Sequence, residues 1–307
     1  MSSPTVRRDV PAPSELQRSA RRRRQLNDLS AYLFMSPYLL LFVLFLLIPA
    51  VMGVVISFTN WDILGTPTWR GLGNYVQIFR DPLFRQAVTN TFMFMLLTAV
   101  PLVVVGLGLA VLLNQKLRGR GFVRTVVFLP YVVTVSAVGI LWVWMYDKTV
   151  GLINYVLSLV GLAPVAWLTD THTALTAIAV ATLWWTVNVN MIIYLAGLQD
   201  IPRELGEAAE IDGATPWLAF WRITLPLLQP VHAFVIPLTV ISAWRVFGQV
   251  YSMTKGGPEG STYVIAQYTY LTAFQNFQMG PAAAAGVVLL LITLAFSLVQ
   301  LRAMRVL

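Results

Sequence analysis

The residues that could take part in chemistry are concentrated in one polar segment, Glu207 to Pro226, with the sequence EAAEIDGATPWLAFWRITLP. Its charged side chains are Glu207, Glu210, Asp212 and Arg222. Ala208 and Ala209 are strong helix formers, and Gly213 permits the left-handed backbone that separates two helices. We therefore predict a rigid helix–turn–helix that docks on another molecule through its acidic side chains.

Side chains suited to covalent or metal chemistry are scarce elsewhere. The chain has no cysteine, which excludes disulfides and thiolate metal sites. His172 and His232 are too few for a histidine metal cluster. No lysine stands in a phosphate-binding loop, GxxxxGK followed by Ser or Thr. The sequence thus predicts no catalytic residue, no metal and no cofactor of its own, and any ATP must be hydrolysed by another chain.

The composition indicates a membrane protein. Charged residues make up only 11% of the chain and hydrophobic residues 57%, with a mean hydropathy of +0.71, whereas soluble proteins have about 25% charged residues. Long apolar runs predict an all-α protein with six transmembrane helices, at about residues 29–58, 86–113, 122–145, 171–198, 227–253 and 281–301. They form one domain, 30–307, after a basic segment, 1–29, and the helix–turn–helix loop, 200–226, joins spans four and five.

The distribution of positive charge predicts the orientation of these helices. Most of the 21 lysines and arginines lie in residues 1–29, in the loop 114–124 and near the C-terminus. The positive-inside rule then puts both termini and the 200–226 loop in the cytoplasm. Membrane topology explains the net charge of +8, so no nucleic-acid partner is predicted. The 200–226 loop itself holds more acids than bases, which suggests a basic protein partner.

Two predicted spans carry polar side chains that could contact a passing solute. The fourth span contains Thr186, Asn188 and Asn190, and the fifth contains Ser242 and Arg245. Buried amides need hydrogen-bond partners, so these groups either join neighbouring helices or form a polar wall for a solute. Because an arginine in a span is costly, Arg245 either reaches the interface or an ion pair, or it binds the solute. The sequence leaves these alternatives open.

The polar segment also resembles the cytoplasmic loop of the membrane subunits of binding-protein-dependent ABC importers. The matching positions are Glu207, Ala208, Ala209, Gly213, Ile223, Leu225 and Pro226. The stretches 71–75 (GLGNY) and 256–258 (GGP) resemble the carbohydrate-uptake branch, and the chain resembles its maltose-type first permease subunit. The resemblance implies that Glu207 offers a carboxylate to the ATPase and that Gly213 forms the turn. Ile223, Leu225 and Pro226 would tie the loop to the fifth span.

The resemblance implies a non-catalytic permease subunit in the bacterial cytoplasmic membrane. It would pair with a second homologous permease, receive solute from an extracytoplasmic binding protein, and be driven by two ATPase subunits that bind ATP and magnesium. The solute would be a sugar or a sugar-like molecule; the alternative is a phosphorylated or acidic solute such as a glycerol phosphate. A gradient-driven transporter or channel would need membrane-embedded acids, which the predicted spans lack.

Overall fold

The computed structural model describes residues 33–63, 65–115 and 118–304, and the predicted basic segment 1–29 lies outside them. The described chain is mostly helical, as predicted. Its helices are α1 (Leu33–Ile56), α2 (Gly73–Arg80), α3 (Pro82–Asn114), α4 (Arg120–Val132), α5 (Val135–Met145), α6 (Leu152–Leu159), α7 (Ala174–Gln199), α8 (Arg203–Ile211), α9 (Pro216–Leu227), α10 (Gln229–Trp244), α11 (Gly248–Met253), α12 (Ile265–Phe274) and α13 (Met279–Ala303). Two short antiparallel strands, β1 (Thr59–Asn60) and β2 (Thr68–Trp69), follow α1.

Four of these helices are long and apolar enough to cross a membrane alone: α1, α3, α7 and α13. Two further pairs qualify together but are bent, α4 with α5 by 102° and α9 with α10 by 71°. The described chain therefore has four candidate spans, or up to six if each bent pair counts as one. The four single helices lie within a few residues of spans one, two, four and six of the prediction.

The third predicted span, 122–145, was wrong as a single helix kinked at Pro130. Helix α4 ends at Val132, the next two residues are extended, and α5 starts at Val135 in a new direction. Pro130 has no amide hydrogen, which weakens the last turn of α4. The indole Nε1 of Trp185 donates to the Val133 carbonyl over 3.1 Å. This hydrogen bond satisfies a carbonyl that the break removes from the helix.

The fifth predicted span, 227–253, was also wrong as one helix. Pro226 lies in the last turn of α9 rather than at the start of the span, and Pro230 occupies the first turn of α10, where its missing amide hydrogen costs nothing. At the other end α10 stops at Trp244, so Arg245 follows the helix instead of lying inside it. A Cβ on Gly248 would lie 2.9 Å from a methyl carbon of Val135, so α11 approaches α5 closely.

The first described unit of the chain, up to Gly53, belongs to α1. Residues 33–52 are exposed and almost entirely apolar, and residues Val43–Leu47 form a π-helical turn. Exposed apolar side chains on all sides are stable in lipid but not in water. The helix is therefore suited to a membrane-spanning role.

The centre of the second unit, from Val54 onward, is the pair α3 and α7. Buried side chains on the two helices include Ala110, Met191 and Tyr194. Gly106 lets the backbones approach: a Cβ at this position would lie 2.7 Å from the Cβ of Asn190. Small residues at such crossings allow close van der Waals packing between membrane helices. The two helices thus form the support on which the other elements pack.

The loop before α12 is held against the first turns of α3 by side-chain hydrogen bonds. Asn90 donates to the carbonyls of Gly260 and Tyr263 over 2.8 and 2.9 Å, and the Tyr268 hydroxyl donates to Asp81 over 2.8 Å. Asp81 also caps α3 by accepting from the Leu83 amide at 2.9 Å. Burial, together with the charge of Asp81, raises the pKa of Tyr263 to about 12. These hydrogen bonds join the loop and the start of α12 to the start of α3.

We predict that Gly106→Ala lowers the free energy of unfolding by about 1–3 kcal/mol, because the added methyl group collides with α7. Gly108→Ala is the matched control, since nothing lies within 4 Å of a Cβ there. This control should be neutral or stabilising by up to about 1 kcal/mol. Thermal unfolding in detergent measures both variants. Equal stability of the two would contradict the close approach of α3 and α7.

Candidate functional site

The predicted helix–turn–helix is present, and we call residues 203–227 the elbow. Helix α8 ends at Ile211, and Gly213 follows with a φ of +78°. The amides of Gly213 and Ala214 donate to the carbonyls of Glu210 and Ala209 over 3.0 and 2.9 Å. This closes α8 with the left-handed turn that glycine favours.

The start of α9 is capped in turn. The hydroxyl of Thr215 accepts from the Leu218 amide at 3.3 Å, and Pro216 occupies the first helical position. A π-helical turn, Phe220–Thr224, then precedes the bend into α10. Local sequence therefore specifies both ends of the turn.

The elbow presents both charge and apolar surface. Glu207 and Ala208 are exposed on α8, whereas Ala209 is buried against the protein. Beside the turn, Ile211 is 87% exposed and Trp217 is 71% exposed. Large apolar side chains grouped on an otherwise polar surface indicate a binding face. The remaining predicted residues of this segment are half-buried or lie at the bend: Ile223, Leu225 and Pro226.

A second candidate site is a cleft of about 580 Å³ among α3, α4, α5, α7, α10 and α11, which we call the polar cleft. Three of the predicted residues line it together: Thr186, Ser242 and Arg245. Among the described residues of its lining, Arg245 alone carries a charge. Hydroxyl groups and one guanidinium facing a shared space can bind the hydroxyl or acidic groups of a solute.

Asn188 and Asn190 do not line the polar cleft. Asn190 is buried and donates its side-chain amide to the Thr239 hydroxyl of α10 over 3.0 Å, which joins α7 to α10. Asn188 is fully buried, and within the part of the chain that the structure describes its amide has no hydrogen-bond partner. Thr186 and Asn190 share one side of a helix by spacing, but only Thr186 faces the cleft.

Sequence reasoning missed the aromatic wall of the polar cleft. The rings of Tyr131, Trp185 and Phe247 line it, and Trp185 also bonds to Val133 at the α4–α5 break. Aromatic rings give a solute a flat apolar surface as well as polar tips. The sequence gives only a weak signal for these residues, because aromatic side chains near the ends of a span are also typical of membrane interfaces.

A third feature is a larger cleft, about 1000 Å³, beside the elbow, which we call the basic cleft. It is lined by Arg118 from the α3–α4 connection, by Arg120 at the start of α4, and by Arg203 and Glu207 from α8. Sequence reasoning used Arg118 and Arg120 only as signals of topology. Nothing in the local sequence shows that the fold brings them next to Glu207.

Comparison with known proteins gives the family. Residues 103–305 match the family model described as "Binding-protein-dependent transport system inner membrane component". The chain is 37% identical over 281 residues to the probable ABC transporter permease protein YurN of Bacillus subtilis, covering 90% of this chain and 96% of the relative.

Two further relatives carry a solute in their names. The sn-glycerol-3-phosphate transport system permease protein UgpA of Agrobacterium fabrum is 33% identical over 284 residues, covering 90% of this chain and 94% of the relative. The trehalose/maltose transport system permease protein MalF of Thermococcus litoralis is 35% identical over 276 residues, covering 88% of this chain and 92% of the relative.

The fold also matches a solved structure. It aligns with a bacterial ABC transporter involved in the import of the acidic polysaccharide alginate, with a TM-score of 0.79 and 26% identity, covering 92% of this chain and 97% of that one. Family model, relatives and fold agree over most of the chain. The chain therefore belongs to the family of binding-protein-dependent transport system inner membrane components, and it is a non-catalytic permease subunit of an ABC transporter.

Proposed function

We propose that this subunit carries a sugar or sugar-like solute inward by alternating access, coupled through the elbow to a separate ATPase subunit. The observation that carries the proposal is the exposed elbow: a capped helix–turn–helix with Glu207 on one helix and bare apolar side chains at the turn. A face of this kind is built to bind a partner. The ATPase, which holds ATP and magnesium, is that partner.

Rigidity of the elbow matters for the coupling. Moving a two-state transporter from 1:99 to 99:1 needs about 5.5 kcal/mol of differential binding, and a flexible connection would dissipate the movement. The caps at Gly213 and Thr215 stiffen the turn, and α9 continues into α10 through only one intervening residue, Leu228. Helix α10 in turn lines the polar cleft. Displacement of the elbow would thus reach the solute pathway directly.

The remaining parts of the proposal concern the assembly. A second homologous permease would complete the pathway, two ATPase subunits would drive it, and an extracytoplasmic binding protein would deliver the solute. The elbow and both termini would lie in the cytoplasm, as the distribution of lysine and arginine predicts. The whole would sit in the bacterial cytoplasmic membrane.

A second candidate solute class is an acidic or phosphorylated molecule, such as a glycerol phosphate. The observation that favours it is Arg245, the single charged residue in the described lining of the polar cleft. A guanidinium binds carboxylate and phosphate groups through paired hydrogen bonds. One relative is named for glycerol phosphate and the structural neighbour for an acidic polysaccharide, whereas another relative is named for neutral disaccharides.

Glu207→Lys should reduce uptake by about a hundredfold or more, because reversing a charge at a docked interface leaves like charges facing each other. The subunit should still insert into the membrane. Glu204→Lys, on the same helix and outside the matching positions, is the control and should retain most uptake. Uptake of labelled solute and the amount of subunit in membranes are measured together. Normal uptake in Glu207→Lys would count against the coupling role.

Gly213→Ala should weaken coupling, because an alanine at a φ of +78° costs about 1–2 kcal/mol of backbone strain. Gly206→Ala is the matched control: it lies inside α8 with nothing within 4 Å of its Cβ, so it should be neutral or stabilising. Hydrogen exchange over residues 203–227 reports the loosening, and the ratio of uptake to ATP hydrolysis reports coupling. Identical behaviour of both variants would show that the turn is not needed.

Arg245→Ala should lower transport of an acidic solute by at least about tenfold, since a charge-assisted hydrogen bond is worth about 1.5–3 kcal/mol. Transport of a neutral sugar should fall by less. The measurement is uptake into proteoliposomes, with solutes first selected by binding to the cognate extracytoplasmic protein. Ser242→Ala, on the same wall, removes a hydroxyl without removing charge and serves as the control. If solute-stimulated ATP hydrolysis and transport stay normal in Arg245→Ala, the proposed contact between Arg245 and the solute is wrong.

A further inference from the structure

The proposed function uses the basic cleft only through Glu207 and leaves its arginines without a role. The cleft lies where α3 and α7 end and α4 begins, and its volume of about 1000 Å³ is large enough for a polar headgroup. Among the residues that the structure describes, three arginines, Arg118, Arg120 and Arg203, line it against one acid, Glu207. All three arginines are exposed, so their guanidinium groups are free to meet a ligand from outside.

The positive charge extends beyond this cleft. A smaller space of about 170 Å³ adjoins it and is lined by Arg120, Arg124 and Gln199, of which Arg120 and Gln199 line both spaces. A fourth arginine thus borders the same region. Arg118 precedes α4, Arg120 and Arg124 lie on the first turns of α4, and Arg203 starts α8 on the other side of the cleft. The arginines therefore reach a shared region from three parts of the chain: the connection before α4, α4 itself and α8.

The donors in this space suit a phosphate group. Arginine forks bind phosphate oxygens through paired, charge-assisted hydrogen bonds. The cleft adds neutral donors from the side chains of Asn114, Gln199 and Thr224. A phosphate offers several acceptor oxygens and can use many of these donors at once. The charge of Glu207 reduces the positive potential of the cleft but does not cancel that of three arginines.

The surroundings favour a phosphate attached to a lipid. The cleft lies at the ends of two apolar helices, α3 and α7, each long enough to cross a membrane, which is the depth of phospholipid headgroups. Helix α4 starts at Arg120 and then exposes apolar side chains: Phe122, Val123, Val126 and Leu129. Phe122 alone is 75% exposed. An acyl chain can lie along this face while its phosphate sits among the arginines.

We propose that the basic cleft binds the phosphate group of an anionic phospholipid such as phosphatidylglycerol. The ligand would join the start of α4 and the residues before it to α8 through their arginines. Because Glu207 lines the same cleft, the bound lipid would also influence the position of the elbow. A free phosphate anion has the same binding chemistry, so an experiment must distinguish the two sources.

The test is calorimetric titration of the full-length chain, together with any subunits that purify with it, in a non-ionic detergent. The probes are dihexanoyl phosphatidylglycerol, dihexanoyl phosphatidylcholine and inorganic phosphate. We expect phosphatidylglycerol to bind at least about tenfold more tightly than either of the others. The triple variant Arg118→Gln, Arg120→Gln, Arg203→Gln should weaken its binding by about a hundredfold, since each basic residue contributes several-fold.

The matched control is the triple variant Arg80→Gln, Arg85→Gln, Arg302→Gln, which removes the same charge from exposed arginines outside the cleft and the elbow. It should bind phosphatidylglycerol within about twofold of the natural chain. Equal losses in both triple variants would show a general charge effect and overturn the site. If inorganic phosphate binds as tightly as phosphatidylglycerol, the proposal that the phosphate belongs to a lipid is wrong.

Thermal unfolding shows whether each variant folds. If the glutamine variant does not fold, lysines at the same three positions keep the charge but lose the forked geometry, and binding should weaken by about tenfold. Unchanged binding in either variant would contradict the proposal. Loss of the ATPase subunit with unchanged lipid binding would identify the cleft as a docking surface for that subunit instead.

Discussion

The constraint on which the structure depends is that backbone polar groups within a membrane must find partners inside the protein. Long unbroken helices satisfy it automatically, and α1, α3, α7 and α13 are of this kind. Where helices are interrupted, as after Val132 and after Trp244, the backbone needs cover from other elements. Trp185 covers the first by donating to Val133. Both interruptions border the polar cleft, which is where irregular backbone is tolerated in a membrane protein because it lines a cavity.

A stiff support holds the polar cleft in place. Helices α3 and α7 approach closely at Gly106 and Asn190, and Asn190 then reaches Thr239 on α10. Asn190 therefore packs against α3 with its Cβ and donates a hydrogen bond to α10 with its side-chain amide. Its role in the isolated subunit is to hold α10 against α7. Thr186 and Ser242, which line the cleft, lie on the two helices that this contact joins.

The elbow differs from the rest of the chain because its shape is local. Gly213 and Thr215 set the turn through contacts within a few residues, so the sequence alone predicted the helix–turn–helix. The basic cleft beside the elbow, in contrast, is formed by residues that are distant in the sequence. Arg118 and Arg120 stand far from Glu207 in the chain, and only the ends of α3 and α7 bring them together. The connection between elbow and polar cleft likewise depends on the 71° bend between α9 and α10.

The sequence by itself determined the mostly helical class, the four unbroken apolar helices and the elbow, because periodicity, helix length and turn chemistry act over short distances. It also singled out Thr186, Ser242 and Arg245. The tertiary structure alone decided that these three residues share a cleft and that Asn188 and Asn190 lie elsewhere. It also decided that the chain is broken within the third and fifth predicted spans. Helix direction after a break is set by which distant side chains, such as Trp185 or Val135, are present to pack against it.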